Sequence, residues 1–234
     1  MKGLLFALIF ASSFHSFSQL FSQQIWLQTG AKINLNSKLS SSIDVTQRYG
    51  NSGLNTFFPQ VSLRFKLTKW MRPSLDYRLI ASQSLDGSYT QSHRLNGNLQ
   101  LSHSVKRFSI GFRVRYQYSF IRLGSNYDAE FDQAWRFKPS IEYDIKNSAI
   151  SPEVSAEFFY NPANAVNGKQ FTRTRYYAGA NMIIMKNHAI GLGMYLDQWL
   201  NDIPRLRCMY SISYSYSIPI RKKKETDSKN MRDL

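Results

Sequence analysis

The chain has 234 residues, 43% of them hydrophobic, yet its mean hydropathy is −0.38, and beyond the N-terminal stretch no apolar run could span a membrane as a helix. A single cysteine, Cys208, excludes an intramolecular disulfide. The formal charge of +15 would suit nucleic acid in a cytosolic protein, but an export signal at the N-terminus removes the chain from the cytosol and argues against that partner.

Met1-Lys2 precedes an apolar stretch from Gly3 to Ala11, and small and polar residues follow as far as Ser16-Phe17-Ser18-Gln19. A basic start, a short apolar core and a small-x-small site make residues 1–18 a secretory signal peptide, cut between Ser18 and Gln19. The apolar core is too short to remain as a membrane anchor. The residue after the cut is not cysteine, so lipid attachment is not indicated.

Eleven strand-like segments follow, at roughly 23–35, 39–49, 54–67, 70–83, 92–103, 106–119, 131–145, 150–160, 171–184, 187–199 and 205–220. The sixth shows the pattern most clearly. Phe108, Ile110, Phe112, Val114, Tyr116 and Tyr118 fall on one face, and Arg107, Ser109, Gly111, Arg113, Arg115 and Gln117 on the other. The alternation recurs. Val61, Leu63, Phe65 and Leu67 oppose Ser62, Arg64 and Lys66, and Leu95, Leu99 and Leu101 oppose Arg94, Asn96, Asn98 and Gln100. In the last segment, Tyr210, Ile212, Tyr214, Tyr216 and Ile218 oppose serines. A charge facing lipid at midplane costs on the order of 2–4 kcal/mol, which accounts for charges keeping to the second face. The fold class expected over residues 19–220 is therefore all-β, an antiparallel transmembrane β-barrel with a polar, arginine-rich lumen.

The connections alternate in length. Asn36–Lys38, Thr68-Lys69, Ser104-Val105, Lys146–Ser148 and Met185-Lys186 are tight, whereas Gly50–Gly53, Ser84–Gln91, Ile121–Glu130, Asn161–Gln170 and Leu200–Pro204 are longer. Short periplasmic turns and longer external loops are the asymmetry of outer-membrane barrels. Bacterial single-chain barrels have even strand numbers, so the eleven segments imply ten strands, with Gln23–Leu35 outside the wall, or twelve, with one more strand still to be found. Trp70 beside a tight turn, and Trp135 and Trp199 beside long loops, are expected in interfacial girdles. Cys208 is expected to face lipid. Pro59 and Pro139 fall inside strands and imply bulges or different strand limits. Residues 221–234 form a basic, aromatic-free tail, expected to be disordered and periplasmic.

The inward face gathers Arg48, Arg64, Lys66, Arg78, Arg94, Arg107, Arg113, Arg115, Arg136, Lys138, Arg173, Arg175, Arg205 and Arg207, facing Asp44, Asp76, Glu142, Asp144, Glu153, Glu157 and Asp197. The cluster expected to matter is Arg64, Arg78, Arg94, Arg113, Arg115, Arg136, Arg173, Arg175, Glu142, Glu153 and Glu157. Such a lumen can act as a narrow, anion-preferring pore for small anionic solutes, or its charges can pair and close it. A catalytic set is not expected. His93 adjoins Ser92, but strand neighbours point to opposite faces, and His103 and His188 fall on the lipid side. Glu153 and Glu157 are two strand periods apart, too far for a shared proton. No metal-ligand cluster or cofactor motif is present in the sequence, so no metal and no cofactor is expected. Two alternatives remain: a barrel-borne hydrolase acting on envelope lipid, and a soluble periplasmic barrel whose apolar face lines an internal ligand site.

The segments Tyr77-Arg78-Leu79, Arg113-Val114-Arg115-Tyr116, Glu157-Phe158-Phe159-Tyr160 and Phe171-Thr172-Arg173-Thr174-Arg175, followed by Gly179, make the mature chain, over roughly 23–220, resemble the exported β-barrel proteins grouped as domain of unknown function 2490. The resemblance implies a barrel in the outer membrane of a Gram-negative bacterium, and it supplies no substrate and no catalytic residue. Outer-membrane lipid, and the barrel-assembly machinery acting through the C-terminal strand, are the partners expected of such a chain.

Overall fold

The computed structural model describes residues 20–84, 86–120, 133–164, 168–200 and 205–219. The expected signal peptide and the basic tail lie outside these residues. Every regular element is a strand: β1 (Leu20–Asn34), β2 (Leu39–Gly50), β3 (Gly53–Phe65), β4 (Met71–Gln83), β5 (Tyr89–Val105), β6 (Phe108–Phe120), β7 (Gln133–Tyr143), β8 (Ile150–Asn161), β9 (Gln170–Met185), β10 (His188–Trp199) and β11 (Arg205–Ile218). Each pairs antiparallel with its chain neighbour, and β1 pairs with β11, so the sheet closes on itself.

Closure occurs with eleven strands, which corrects the expectation of ten or twelve. An odd number leaves the first and last strands running the same way, so their seam is parallel. Parallel ladders use evenly spaced, slanted bonds and need no hairpin between partners when the two strands are the chain's ends. The seam runs from Leu20↔Arg205 to Ile33↔Ile218 without a register shift. Gln23–Leu35, which the even-strand alternative set outside the wall, is therefore part of it.

The two rims differ. One carries the tight connections, with Lys106, Asn147 and Asn187 in the left-handed region at φ of 54°, 56° and 71°. Asparagine tolerates that region because its short polar side chain can bond locally. The other rim carries the longer connections, apart from Asn51-Ser52, which joins β2 to β3 as a tight turn. β1 starts at the loop rim and β11 ends at the tight-turn rim.

Proline leaves a gap instead of a bulge. Pro59 stays in register with Val45 of β2, but the β3–β4 ladder skips from Phe57↔Ala81 to Gln60↔Arg78. Pro139 pairs with Phe112 of β6 while the β7–β8 ladder skips from Phe137↔Phe158 to Ser140↔Ser155. Register continues across both gaps. The missing N–H loses ladder bonds on one side only, and the expectation of bulges or shifted limits is corrected. Bulges instead occur at Arg48/Tyr49, Phe159/Tyr160 and His188/Ala189.

The two faces separate as the alternation predicts. Ile43, Val61, Leu75, Leu95, Ile110, Ile141, Val154, Leu192 and Ile212 are exposed on the outside, while Ser62, Asp76, Asn98, Arg115, Arg136 and Glu157 are buried inside. Trp70 and Trp135 lie on the outer surface. Trp199 does not. It shares the inward face of β10 with Asp197, under the guanidinium of Arg207 at 4.7 Å, so its place in a girdle is corrected. Cys208 shares the outward face with Tyr210 but is only 7% exposed, shielded by its neighbours and not presented outward as expected.

Candidate functional site

The lumen holds one large cavity of about 760 Å3, and its lining changes from one rim to the other. In the loop half the interior is filled. Asp197 and Met209 are 0% exposed, Asn96 and Ala134 1%, and Phe159 and Ser119 2%. Lys32 and Arg64 line the same cavity but are exposed, and both lie near the tight-turn rim. Packing is tightest on the loop side, where Arg173 and Arg207 still line the cavity, and loosest toward the tight turns, which gives it the form of a cup.

Two kinds of contact build the seal: bonds between register partners, as Arg175 with Asp197 and Asn98 with Arg115, and bonds that reach across the lumen past an intervening strand, as Arg113 with Glu157 and Arg115 with Asp76. Asp197 on β10 faces Arg175 on β9 and accepts from its Nε at 2.5 Å and its Nη2 at 2.8 Å. Arg173, two residues along, reaches the same carboxylate at 3.3 Å. Glu157 on β8 accepts from Arg113 at 2.7 Å and from Arg136 at 3.1 and 2.7 Å. Asp76 on β4 takes Arg115 at 3.2 Å and the Asn98 amide at 2.9 Å, and Asn98 in turn accepts from Arg115 Nε. Each buried acid thus holds an arginine in a charge-assisted bond, the arrangement that makes buried charge tolerable.

Rings separate the guanidiniums that carry no carboxylate between them. Phe58 lies between Arg48 at 4.8 Å and Arg78 at 4.1 Å, and Phe159 between Arg136 at 4.4 Å and Arg173 at 3.9 Å. Trp26 takes Arg48 at 3.9 Å on its ring and packs in a tilted pair with Tyr195 at 5.3 Å, which packs likewise against Tyr177 at 4.5 Å. A guanidinium over a ring gains from the ring quadrupole while staying clear of a second cation. Arg78 also donates twice to Gln60 Oε1, and Arg94 donates to Ser119.

Of the residues singled out by sequence, Arg113, Arg115, Arg136, Arg173, Arg175 and Glu157 meet in the seal, Arg94 bonds Ser119, and Arg78, held by Gln60, lines the cavity. Arg64 stands apart at the mouth. Glu142 and Glu153 face each other across the β7–β8 ladder near the tight turns, and Glu153 is bridged by Lys138 at 3.3 Å. Sequence reasoning left out Lys32 and Arg72, whose parity with Gln28 and Ser74 marks them as inward. It also left out Trp26, Phe58 and Phe159, apolar residues on otherwise polar faces, and that violation of the alternation was the signal. His93 meets the Tyr77 hydroxyl at 2.8 Å on the outer surface, while Ser92 is buried inside. No group of three or more His, Cys, Asp or Glu that could hold a metal ion occurs among the described residues.

A search of curated proteins finds no match. Among solved structures, the chain is similar to one from work headed "Unveiling the Mechanism Behind the in-meso Crystallization of Membrane Proteins", at 15% identity over 81% of this chain and 80% of that one, with a TM-score of 0.39. That likeness is too low to carry an argument. The family model described as "Protein of unknown function (DUF2490)" matches residues 23–224, most of the chain and all eleven strands but the first residues of β1. The chain belongs to the DUF2490 family.

Proposed function

We propose that this protein is an outer-membrane barrel that does not conduct, and that its cup receives small anionic solutes from the periplasmic side. The observation that carries the reading is the filled loop half of the lumen, where Asp197 and Met209 are 0% exposed and Phe159 is 2% exposed. Side chains packed to that degree leave little room for a water-filled path, which supports the reading. The apolar outer face supports lipid as its surroundings, and the tight-turn rim is the periplasmic one by the usual asymmetry of such barrels. With that orientation β11 runs down to the periplasm, and its outward Tyr210, Ile212 and Tyr214 suit the strand that the assembly machinery engages.

Between the two roles open to an arginine-rich lumen, pairing accounts for the charges of β6–β10 and leaves excess positive charge on β1–β4, down to the mouth. A soluble barrel with an apolar ligand site would need Leu75, Leu95 and Ile212 inside, and they are exposed outside. The hydrolase draws no support from His93, whose ring partner is Tyr77. Fractionation of cells expressing the full chain tests the placement: the protein should appear with the outer membrane, in heat-modifiable form. Proteoliposomes carrying it should keep entrapped small sugars, and rapid leakage would contradict the closed lumen.

A further inference from the structure

The two walls of the cup differ in how their charges are used. Five of the six ion pairs found among the described residues lie within β6–β10, and the sixth ties Asp76 of β4 to Arg115 of β6. The wall formed by β1–β4 carries Lys32, Arg48, Arg64, Arg72 and Arg78, and none of these five is in an ion pair. Its acids offer only partial relief. Asp76 is committed to Arg115 and Asn98, whereas Asp44, which accepts from the Ser42 hydroxyl at 3.2 Å, lies near enough to Arg64 to attract its charge. The Nε of Arg48 is buried with no hydrogen-bond partner.

Rings and the Gln60 amide compensate Arg48 and Arg78 in part, but cations without a carboxylate are not expected in a narrow, partly dehydrated space unless something further balances them. Lys32, Arg64 and Arg72 are close enough at the mouth for Arg64 and Arg72 to repel the Lys32 charge. Arg78 lies opposite Gln60, four residues before Arg64 on β3, or roughly 13 Å deeper at the usual strand rise. Ser74 stands at the level of Arg64, and between the two levels the wall presents the hydroxyls of Ser42 and Ser62 beside the Asp76 carboxylate. Forked guanidiniums and an ammonium interleaved with small hydroxyls match phosphate oxygens in geometry as well as in charge. The space is of the size that holds small ligands.

We infer that the β1–β4 wall of the cup is a binding site for a phosphate-bearing solute with more than one anionic group, entering past Lys32, Arg64 and Arg72 and reaching toward Arg48 and Arg78. The inference rests on the cup being open at the tight-turn rim, as proposed above, and it goes further in naming the wall and the ligand chemistry. The phosphate could belong to a free solute or to a lipid headgroup, and the two sources are separable by competition.

The test is calorimetric titration of the refolded full chain with inorganic tripolyphosphate at low salt. Saturable binding is expected, weaker in high salt, and tighter than for orthophosphate because two levels of the wall engage at once. The Arg64→Gln/Arg72→Gln variant should bind about tenfold more weakly or worse. Lys69→Gln, which removes an exposed charge from the β3–β4 turn on the same rim, should bind like the parent. Lys32→Gln serves if the double variant fails to show heat-modifiable folding, and should weaken binding in the same direction. Displacement by dihexanoyl phosphatidate assigns the site to a lipid headgroup, and failure to displace assigns it to a free solute. Absence of binding by the folded parent, or equal loss in Lys69→Gln, would overturn the inference. Sealed proteoliposomes without tripolyphosphate binding would remove this site alone, whereas binding by a leaky barrel would remove the closed-lumen reading alone.

Discussion

Asp197 takes both of its carboxylate oxygens to the Arg175 guanidinium, at 2.5 and 2.8 Å, from a position with no exposed surface. The same carboxylate bonds Arg173, so one acid holds two cations beside the seam strands. Asp197→Asn keeps the shape and removes the charge, leaving both guanidiniums uncompensated. Breaking a buried pair in this way costs about 3–5 kcal/mol. The expected result is a clear fall in thermal midpoint, read as the temperature at which the compact form disappears on a gel. An unchanged midpoint would mean that the seal does not depend on this carboxylate.

Tyr177 occupies space that two glycines leave open. A Cβ on Gly193 would sit 2.7 Å from the Tyr177 hydroxyl and 2.8 Å from its Cζ, and the ring is already packed against Tyr195 at 4.5 Å. Gly193→Ala should therefore destabilise by about 1–3 kcal/mol through overpacking. In combination with Tyr177→Ala the loss should be less than additive, because the obstructing ring is gone. Additive losses would place the effect elsewhere in the strand.

The parallel seam is open to a covalent check. Leu27 and Ile212 are register partners on the outer face of β1 and β11. In a Cys208→Ser background, Leu27→Cys with Ile212→Cys should oxidise to a disulfide within one chain, since directly paired strand positions fall inside the span a disulfide can bridge. The product should migrate differently on a non-reducing denaturing gel. A ten-stranded wall without β1 would give no such product.

Orientation can be read from labelling. Asp86 lies in the connection between β4 and β5 at the loop rim, and Asn187 in the β9–β10 turn at the opposite rim. With single cysteines placed at each in the Cys208→Ser background, an impermeant maleimide on intact cells should label Asp86→Cys and spare Asn187→Cys. The reverse pattern would turn the cup toward the cell exterior.

Much of the wall was legible in the sequence because a strand's faces follow from parity alone. The alternation at Phe108–Tyr118 or Val61–Leu67 admits one assignment once charges are kept from the apolar side. Strand number was not legible. Nothing local distinguishes a β1 that pairs with β11 from a segment outside the wall, because the partner lies almost the whole chain away. The inward turn of Trp199 was hidden for a different reason. Its neighbourhood to a long loop suggested a girdle, while its parity with Asp197 carried the correct answer. The seal was the least legible part. The register sets Arg175 opposite both Glu157 and Asp197, and only the side-chain placement, with Arg113 and Arg136 taking Glu157, leaves Arg175 to Asp197.

The closed lumen is tested most directly by single-channel recording of the refolded protein in a planar bilayer under a salt gradient. The parent should give no stable conductance steps although it is folded and heat-modifiable. Phe159→Ala, which removes the ring between Arg136 and Arg173, should give small steps with an anion-biased reversal potential. Stable steps from the parent itself would contradict the account, which rests on the close packing of Asp197, Met209 and Phe159.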